Sequence, residues 1–506
     1  MLTPNELQSL PDSLAKTYER VENDILADIA RRITKAGYTT DTAGWQAEKA
    51  RELKSARKDI LRRLSRSTGR SERELERMFD EAGSTAMSHD DEIYREAGLS
   101  PPALSKSKSL RNALSAGLHN TRGELRNLTR TTANTATKQF EDALDAAYMR
   151  VMSGAFSSAD SIRRAVKQLG AEGLQSIRYP SGHTDHMDVA VRRAALTGIN
   201  QTVGTLQLAR ADEMGCDLVQ TTSHMGARPA HAVWQGRIFS RSGKHPRYPL
   251  FEASTGYGTG PGLCGWNCHH SFYPFFEGIS ADTYTRYDTE ENRKAYEQSQ
   301  QQRAYERAIR QSKRELSTLD AAIKAAPDEA TRTALESEFT RSASKLRRQR
   351  DRLEDFLAET GRARRTNREQ EAGFGHSQSS KAVQAFRRTL LPNFEKAAVP
   401  KEKLAAYVLN PNHPIGGDKA LVFERVLGYT ESNWEELAGQ LRNGLRKFPA
   451  SKRRETQFGT PFEVVMEITG PTGRTAKVKT AWQIDKGGKI PRLISAYIPK
   501  RSEENG

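Results

Sequence analysis

Cysteine and histidine side chains gather in one stretch of the chain, residues 224–276. This stretch holds two of the three cysteines and five of the eleven histidines of a 506-residue protein. A borderline-soft ion such as Zn²⁺ binds thiolate and imidazole ligands in a tetrahedral set, and two cysteines separated by three residues lie within tolerated ligand spacing. The sequence therefore predicts a candidate zinc site with Cys264, Cys268, His231 and His270 as ligands.

The same stretch permits two other interpretations. Aromatic neighbours would bury the cysteines in a core without any metal, as happens to many free cysteines. A Cys–His pair can also act as nucleophile and base, here Cys268 with His231 or His269, although no third group that would orient the base is evident. The glycine-rich run at 256–262 lacks the Lys-Ser/Thr of a phosphate-binding loop, so its glycines are expected to serve tight turns.

The charge of the chain indicates either an anionic partner or a well-solvated surface. Lys and Arg number 79 against 63 Asp and Glu, a formal net charge of +16. Clustered cations displace counterions from a phosphate backbone, whereas long helical proteins also carry many solvated charges. No apolar run approaches the ~18 residues that span a bilayer, and no signal peptide is evident. With an odd number of cysteines, we expect folding in a reducing cytoplasm and no membrane insertion.

The elements that must position these residues are mainly helices. Ser71 followed by Glu74 is typical of a capping box that starts a new helix, after an earlier helix over 45–64. Apolar residues at a four-residue step indicate a helix packed on other helices near the start of the chain, at Val21, Ile25, Ile29 and Ile33.

Strand patterns appear in two places. Branched residues at 217–223 predict a strand that leads into the 224–276 stretch. Near the C-terminus, runs at 462–469, 475–484 and 493–498 predict an antiparallel meander that follows helices, an α+β arrangement. Residues 283–368 are helical again, with apolar stripes on both sides of a turn, which predicts a hairpin of two helices.

The chain is therefore expected to be a multi-domain, mainly α protein with α+β modules. At roughly 100–200 residues per domain, its length suits three or four structural units. We expect a helical N-terminal region at 1–120, an α+β core at 121–282, a helical hairpin or coiled-coil arm at 283–370, a linker at 371–397 and a small α+β domain with an antiparallel sheet at 398–506.

Three sequence blocks resemble the phage minor capsid protein 2 family, within the broader Mu F-like head morphogenesis group. They are V-R-R-A-A-L-T-G-I-N-Q-T (191–202), G-A-R-P-A-H-A-V-W-Q-G (226–236) and Y-P-L-F-E-A-S-T-G-Y-G-T-G-P-G-L-C-G-W-N-C-H-H (248–270). The resemblance spans about 125–368 and includes Q-Q-Q-R-A-Y-E-R-A-I-R (300–310).

The pattern of the Mu F-like group is Arg-x-x-His before a Gly, followed by Asn-Cys-Arg-Cys. His269-His270 departs from Arg-Cys, which removes one thiol and weakens any metal site carried over from the group. The residues that match the pattern are Arg228, His231, Gly236, Asn267 and Cys268.

The resemblance implies a structural protein, not an enzyme, in this part of the chain. It implies a location inside the phage head near the portal, in few copies, after assembly in the host cytoplasm. The implied partners are the portal protein, the major capsid or scaffold protein, and packaged DNA, which suits the basic charge.

The C-terminal region resembles a different group, the small domains appended to polymorphic toxins and phage head proteins. The similar blocks are Y-V-L-N-P-N-H-P-I-G-G-D-K-A-L-V-F-E-R-V-L-G-Y (407–429), V-K-T-A-W-Q-I (478–484) and P-R-L-I-S-A-Y (491–497). Helices followed by a meander are similar to the barnase, EndoU, colicin and RelE-like ribonuclease fold. The resemblance implies a metal-independent ribonuclease-like toxin domain with RNA as its substrate.

Metal-independent RNA cleavage needs a base for the 2′-hydroxyl, an acid for the leaving oxygen and cations for the phosphate charge. We expect His413 as acid or base and Lys419 and Arg492 on the phosphate, with Lys479 and Thr480 as further catalytic candidates. The alternative is a non-catalytic binding domain, in which His413 caps a turn, Lys419 lies on the surface and Trp482 belongs to the sheet core.

Overall fold

A computed structural model of the protein describes residues 4–38, 41–178 and 184–499. It divides into two compact units. The first comprises Met1–Glu336 and Leu353–Gly375, and the second comprises Ser337–Arg352 and His376–Gly506. Within the residues covered, no helix combines the length and apolarity needed to cross a bilayer.

Long helices make up most of the first unit, as expected for a mainly α protein. Its first six helices are α1 (Pro4–Ser9), α2 (Asp12–Lys35), α3 (Thr42–Glu96), α4 (Lys108–Met152), α5 (Ser158–Glu172) and α6 (Met187–Met214). A short two-stranded sheet, β1 (Gln175–Arg178) and β2 (Thr184–His186), lies between α5 and α6.

Apolar stripes hold these helices together. The predicted stripe at Val21, Ile25, Ile29 and Ile33 is buried on α2, so that prediction is confirmed. Helix α2 contacts α3, α5 and α6, and α4 contacts α3, α5 and α6. The bundle therefore buries its side chains between packed helices.

The predicted helix start at Ser71 is wrong, because α3 runs without interruption from Thr42 to Glu96. The Ser71 side chain is buried, and its Oγ donates a hydrogen bond to the carbonyl oxygen of Ser67 at 2.7 Å, inside the helix. Buried residues occur along α3 from Trp45 to Tyr94. Tertiary packing along the whole helix thus overrides the local capping signal.

A small antiparallel sheet follows α6 in the order β4-β3-β5. The central strand β3 (Leu218–Thr221) confirms the strand predicted at 217–223, and all four of its residues are buried. The outer strands have three residues each, too short for a sequence pattern to indicate. They are β4 (Ile238–Ser240) and β5 (Phe272–Pro274), and the connections carry α7 (Pro229–Ala232) and α8 (Phe251–Thr255).

The helices after this sheet are α9 (Thr289–Ile323) and α10 (Glu329–Thr360), the two helices of the predicted hairpin. A short turn at 324–328 joins them, and Asp328 caps α10 by accepting a hydrogen bond from the Thr331 backbone. Helix α9 packs along α2 and α5, so it belongs to the helical bundle of the first unit.

The second unit has a four-stranded antiparallel meander in the order β6-β7-β8-β9. Its strands are β6 (Ala450–Lys452), β7 (Gly459–Thr469), β8 (Thr475–Asp485) and β9 (Pro491–Tyr497), which confirms the three predicted strands. Its helices are α11 (His376–Arg387), α12 (Lys401–Lys403), α13 (Gly417–Leu427) and α14 (Trp434–Gly444), with a π-helical turn at Leu404–Val408.

One face of this sheet forms the core of the second unit with the helices. Trp482 is fully buried there beside Val464, Val478 and Leu493, as predicted for a sheet-core residue. The opposite face carries charged residues such as Glu463 and Lys479. The alternation along β7 and β8 therefore separates a core face from a polar face.

Candidate functional site

Three of the four predicted metal ligands meet in the first unit. His231 lies in α7, Cys268 lies in the loop before β5, and His270 lies two residues before that strand. The Cys268 Sγ is 3.8 Å from Nδ1 of His231 and 3.8 Å from Nδ1 of His270, and the two Nδ1 atoms are 3.3 Å apart. All three side chains are almost completely buried.

The outer nitrogens of both imidazoles already have acceptors. Nε2 of His231 donates to the carbonyl oxygen of Pro261 at 2.8 Å, and Nε2 of His270 donates to Oε1 of Gln235 at 3.1 Å. Oε1 of Gln235 also accepts from the His224 backbone, which fixes the orientation of that amide. Both inner Nδ1 atoms are therefore unprotonated and direct their lone pairs at each other and at Cys268.

Burial keeps these groups uncharged. It lowers the pKa of His231 to about 4 and the pKa of His270 well below its ordinary value. It also raises the pKa of the Cys268 thiol. A thiol has one proton, so at least one of the two facing Nδ1 atoms lacks a protein donor, and two lone pairs face each other at a buried position.

The arrangement fits a zinc ion. With bonds of about 2.0–2.1 Å to nitrogen and about 2.3 Å to sulfur, tetrahedral geometry places two nitrogens about 3.3 Å apart and sulfur about 3.6 Å from each. The observed separations of 3.3, 3.8 and 3.8 Å are close to these values. Metal-bound imidazoles normally donate their other N–H to a carbonyl or carboxylate, as both do here.

Cys264, the fourth predicted ligand, is outside this set, which contains His231, Cys268 and His270 among the described residues. Its Sγ lies 4.0 Å from the His270 carbonyl oxygen, and it is buried in the aromatic core with Phe251 and Phe272. The alternative of simple aromatic burial therefore describes Cys264, whereas Cys268 is in contact with imidazole.

The other motif residues build the loops around the cluster. Arg228 donates to the carbonyl oxygen of Trp266 at 2.8 Å, which ties α7 to the loop that carries Cys268. Asn267 and Gly236 both have positive φ, at 51° and 67°. A side chain at Gly236 would be strained in that conformation and would come within 3.3 Å of the Thr285 carbonyl oxygen.

Sequence reasoning missed the residues that support the cluster from a distance along the chain. Asn200 on α6 donates to the carbonyl oxygens of Cys268 and His270, at 3.1 and 3.3 Å. Gln235 and Pro261 accept from the two histidines. Asn200 and Gln235 lie inside two of the family-like sequence blocks, and this position is the sequence signal that could have identified them as hydrogen-bond partners of the cluster.

The second unit brings together two of its five predicted catalytic residues, His413 and Lys419, through Tyr407. Nζ of Lys419 donates to the Tyr407 hydroxyl and to Oγ of Ser495, both at 2.9 Å. The same Nζ lies 4.6 Å from the centre of the Tyr407 ring. The Lys419 hydrogen bond lowers the pKa of the Tyr407 phenol.

His413 packs edge-on against the Tyr407 ring, with centroids 4.8 Å apart. Its Nδ1 accepts hydrogen bonds from the backbone nitrogens of Ile415 and Gly416, at 3.2 and 3.1 Å. The imidazole therefore does cap a turn, as the non-catalytic alternative expects. Because Nδ1 is an acceptor, the neutral ring carries its proton on Nε2.

The structure does not bring the other three candidates into this cluster. Thr480 is fully buried, where its hydroxyl donates to the Val464 carbonyl oxygen and accepts from the Trp482 indole, both at 2.8 Å. Lys479 pairs with Glu463 at 3.0 Å, and Arg492 forms two hydrogen bonds to Asp485. Tyr407 and Ser495 are the members that sequence reasoning missed, although both stand in the quoted C-terminal blocks.

In comparisons with known proteins, the two parts of the chain match different family models. Residues 390–500 match a family described as a domain of unknown function (DUF6883). No solved structure matches the chain. The resemblance of this region to ribonuclease folds thus has no support from a characterised relative.

Two curated phage proteins are similar to parts of the chain. A structural protein of Lactococcus phage LL-H is 26% identical over 164 residues, 31% of this chain and 44% of the relative. A structural protein of Lactococcus phage mv4 is 40% identical over 47 residues, 9% of this chain and 37% of the relative. The matched regions span less than half of either relative.

A family match covers most of the chain. Residues 2–358 match the family of phage minor capsid protein 2, including every residue of the His–Cys cluster and of the loops that hold it. The chain therefore belongs to the phage minor capsid protein 2 family.

Proposed function

We propose that this phage structural protein resides inside the head near the portal, in few copies, after assembly in the host cytoplasm. The observation that carries the proposal is the family match over 2–358 together with the burial of the His–Cys cluster, whose side chains are 1–2% exposed. A cluster so enclosed suits a rigid assembly module better than an open active site. The portal protein, the major capsid or scaffold protein and packaged DNA are its proposed neighbours, and the net charge of +16 suits the last.

Proteomics of purified particles tests this proposal. We expect the chain in virions and in procapsids, at a copy number well below that of the major capsid protein, and cross-linked to the portal protein. Absence from both particles would contradict a capsid role. Presence without portal cross-links, but with cross-links spread over the shell, would contradict the location near the portal.

We propose that the assembly module is held by zinc bound to His231, Cys268 and His270. Two facing lone pairs and a thiol at tetrahedral separations support this assignment. The ion would supply the positive charge that satisfies both Nδ1 atoms and the thiolate, and would tie α7 to the loop before β5.

Metal analysis of the purified full-length chain tests the zinc assignment. We expect about one zinc per chain, lost in Cys268→Ser and retained in Cys264→Ser. The second variant is a matched control because Cys264 is equally buried in the same module but is outside the ligand set. A folded wild-type chain without metal, or equal zinc loss in both variants, would contradict the assignment.

We propose as a second function that the C-terminal unit cleaves RNA. The specific observation in its favour is the contact of Lys419 with Tyr407 and Ser495, beside His413. In this proposal the phenolate form of Tyr407, favoured by the Lys419 hydrogen bond that lowers its pKa, takes the 2′-hydroxyl proton, and the 2′-oxygen attacks phosphorus. Lys419 stabilises the phosphate charge, and His413 Nε2–H gives its proton to the leaving 5′-oxygen, which yields a 2′,3′-cyclic phosphate.

Incubation of the full-length chain with tRNA and with total RNA, in the presence of a chelator, tests this second function. We expect fragments ending in 2′,3′-cyclic phosphate. Intact RNA with a folded wild-type chain would leave a non-catalytic binding role for the C-terminal unit.

A further inference from the structure

The first unit contains a basic cavity of about 810 Å³ that neither proposed function uses. Residues of α1, α2, α6 and α9 line it, together with the segment that follows α10 and one edge of the His–Cys module. Nine Lys or Arg side chains but only four carboxylates face this space. Its volume lies within the range of roughly 300–1,000 Å³ typical of small-molecule sites.

Some of this charge is neutralised within the protein. The ion pairs that involve lining arginines are Arg192 with Asp12, Arg193 with Asp185, Arg310 with Asp188 and, at 3.9 Å, Arg368 with Glu306. These pairs occupy three of the four lining carboxylates, and nine cations line the cavity, so an excess of positive charge remains.

Three arginines supply that excess. Arg303 and Arg307 stand one helical turn apart on α9, and Arg365 follows α10; none forms an ion pair with any residue in the described ranges. Burial, together with Arg307 and Arg365, lowers the pKa of Arg303 despite the opposing effect of Glu306. Burial and the neighbouring arginines also lower the pKa of Arg368 to about 10. Like charges are thus held close together at a partly desolvated site.

Two buried polar atoms on lining residues also lack partners. Nδ1 of His269 and Nε of Arg310 are buried and form no hydrogen bond with any residue that the structure describes. Buried polar atoms in native proteins are nearly always satisfied, so the wall of this cavity is incompletely satisfied in hydrogen bonds.

We propose that this cavity binds a ligand of nucleotide size that carries at least two adjacent phosphate groups. Guanidinium groups pair with phosphate oxygens through two parallel hydrogen bonds, and several phosphates are needed to balance three unpaired arginines. The shared chemistry has two sources, a free nucleoside polyphosphate or the phosphorylated end of a single nucleic-acid strand. His231 and His270, two of the proposed zinc ligands, line one edge of this cavity, whereas Arg303, Arg307 and Arg365 are not among those ligands.

Isothermal titration of the full-length chain with three probes tests the proposal. The probes are inorganic pyrophosphate, ATP and a short single-stranded DNA with a 5′ phosphate. We expect pyrophosphate to compete with both larger probes, and affinity to fall as salt rises. Tighter binding of ATP than of the strand assigns the site to free nucleotides, and the reverse order assigns it to strand ends.

Substitutions on α9 locate the binding. Arg303→Gln with Arg307→Gln should weaken ATP and pyrophosphate at least tenfold. Arg293→Gln should change affinity less than twofold, because this arginine lies on the same helix outside the cavity and pairs with Glu290 and Glu297. Arg365→Gln, at an exposed position, provides a second loss-of-binding variant if the double variant does not fold, with a severalfold loss expected.

Either of two results would overturn the proposal. One is a folded wild-type chain that binds none of the three probes at low salt. The other is binding that Arg365→Gln and Arg293→Gln affect equally, since that would indicate a diffuse surface charge and no defined site.

Discussion

The His–Cys cluster of the first unit and the Tyr407–Lys419 cluster of the second use polar side chains in opposite ways. In the first, burial keeps imidazoles neutral, and their lone pairs converge on a point where the Cys268 thiol offers a single proton for two acceptors. In the second, a cation on a partly exposed edge donates to two hydroxyls and makes one of them more acidic. Convergent lone pairs suit a metal ion, whereas an acidified phenol beside a cation suits proton transfer.

Zinc removal should have the largest effect and should act on the first unit alone. A structural zinc site contributes several kcal/mol to folding, so a chelator should lower the free energy of unfolding of this unit by ~5 kcal/mol or more. Thermal unfolding followed by calorimetry, with and without added zinc, measures this. Cys268→Ser should abolish the zinc dependence, whereas Cys264→Ser should keep it; a zinc-independent first unit would remove the contrast between the two clusters.

Loss of the Lys419 cation should have the next largest effect, on catalysis and not on folding. Lys419→Met should lower the rate of RNA cleavage by about 10²–10³-fold, the range seen when one charge-stabilising group is removed. Its matched control is Lys479→Met in the same unit. Lys479 lies on the polar face of the C-terminal sheet, where it pairs with Glu463. Equal rates for the two variants would show that the cluster has no catalytic role.

A third prediction separates structure from chemistry within the second unit. Thr480→Val should lower the free energy of unfolding by about 1–3 kcal/mol, because the Trp482 indole and the Val464 carbonyl each lose a buried partner. Cleavage per folded molecule should stay unchanged. A selective loss of activity in a stable Thr480→Val protein would return Thr480 to the catalytic set.

The smallest predicted effects concern two carboxylates with opposite pKa shifts. Burial, with Glu371 and Asp188 nearby, raises the pKa of Glu19 to about 7. The folded state therefore holds this proton more tightly than the unfolded state, and stability falls as pH rises from about 4.5 to 7. Glu19→Gln should be more stable than wild type at pH 8 by about 1 kcal/mol, after allowance for solvent, and equal at pH 4.

Glu463 should behave in the opposite way. Burial opposes ionisation of this carboxyl, but hydrogen bonds from Lys479 and Arg453 outweigh it and lower its pKa. Its stabilisation is present above the ordinary glutamate pKa and is lost as the pH falls through the lowered value. Glu463→Gln should therefore lower the free energy of unfolding by a few tenths of a kcal/mol at pH 7 and leave it unchanged in strong acid. Urea unfolding at the two pH values measures both carboxylates.

Periodicity predicted the elements whose pattern is long and local. The α2 stripe and the strands of the C-terminal meander follow from spacing alone, because each repeats over many residues. The predicted domain boundaries all remain predictions. The alternation that places Trp482 in the core also places Thr480 there, two residues away on the same face, so the sequence held the information that argues against a catalytic Thr480.

The clusters themselves depend on contacts between distant parts of the chain. Lys419 reaches Ser495 across 76 positions, and His231 reaches His270 across 39. Residue types selected His231, Cys268 and His270 as ligands, but only tertiary packing separates Cys264 from them. Likewise, the sequence alone does not distinguish the arginines of α9 from those of a solvated helix face. Only the fold shows that they line the same cavity as the segment after α10.

Helix α3 gives the first unit a property that shorter elements lack. Its 55 residues form one continuous rod about 80 Å long at 1.5 Å per residue. Buried side chains from Trp45 to Tyr94 pack along its length, and the helix is continuous between them. A displacement of one end along the axis is therefore transmitted to the other end. The helix therefore fixes the distance between its two ends. A proline at its midpoint would kink or break the helix, which would shorten that distance and make it variable.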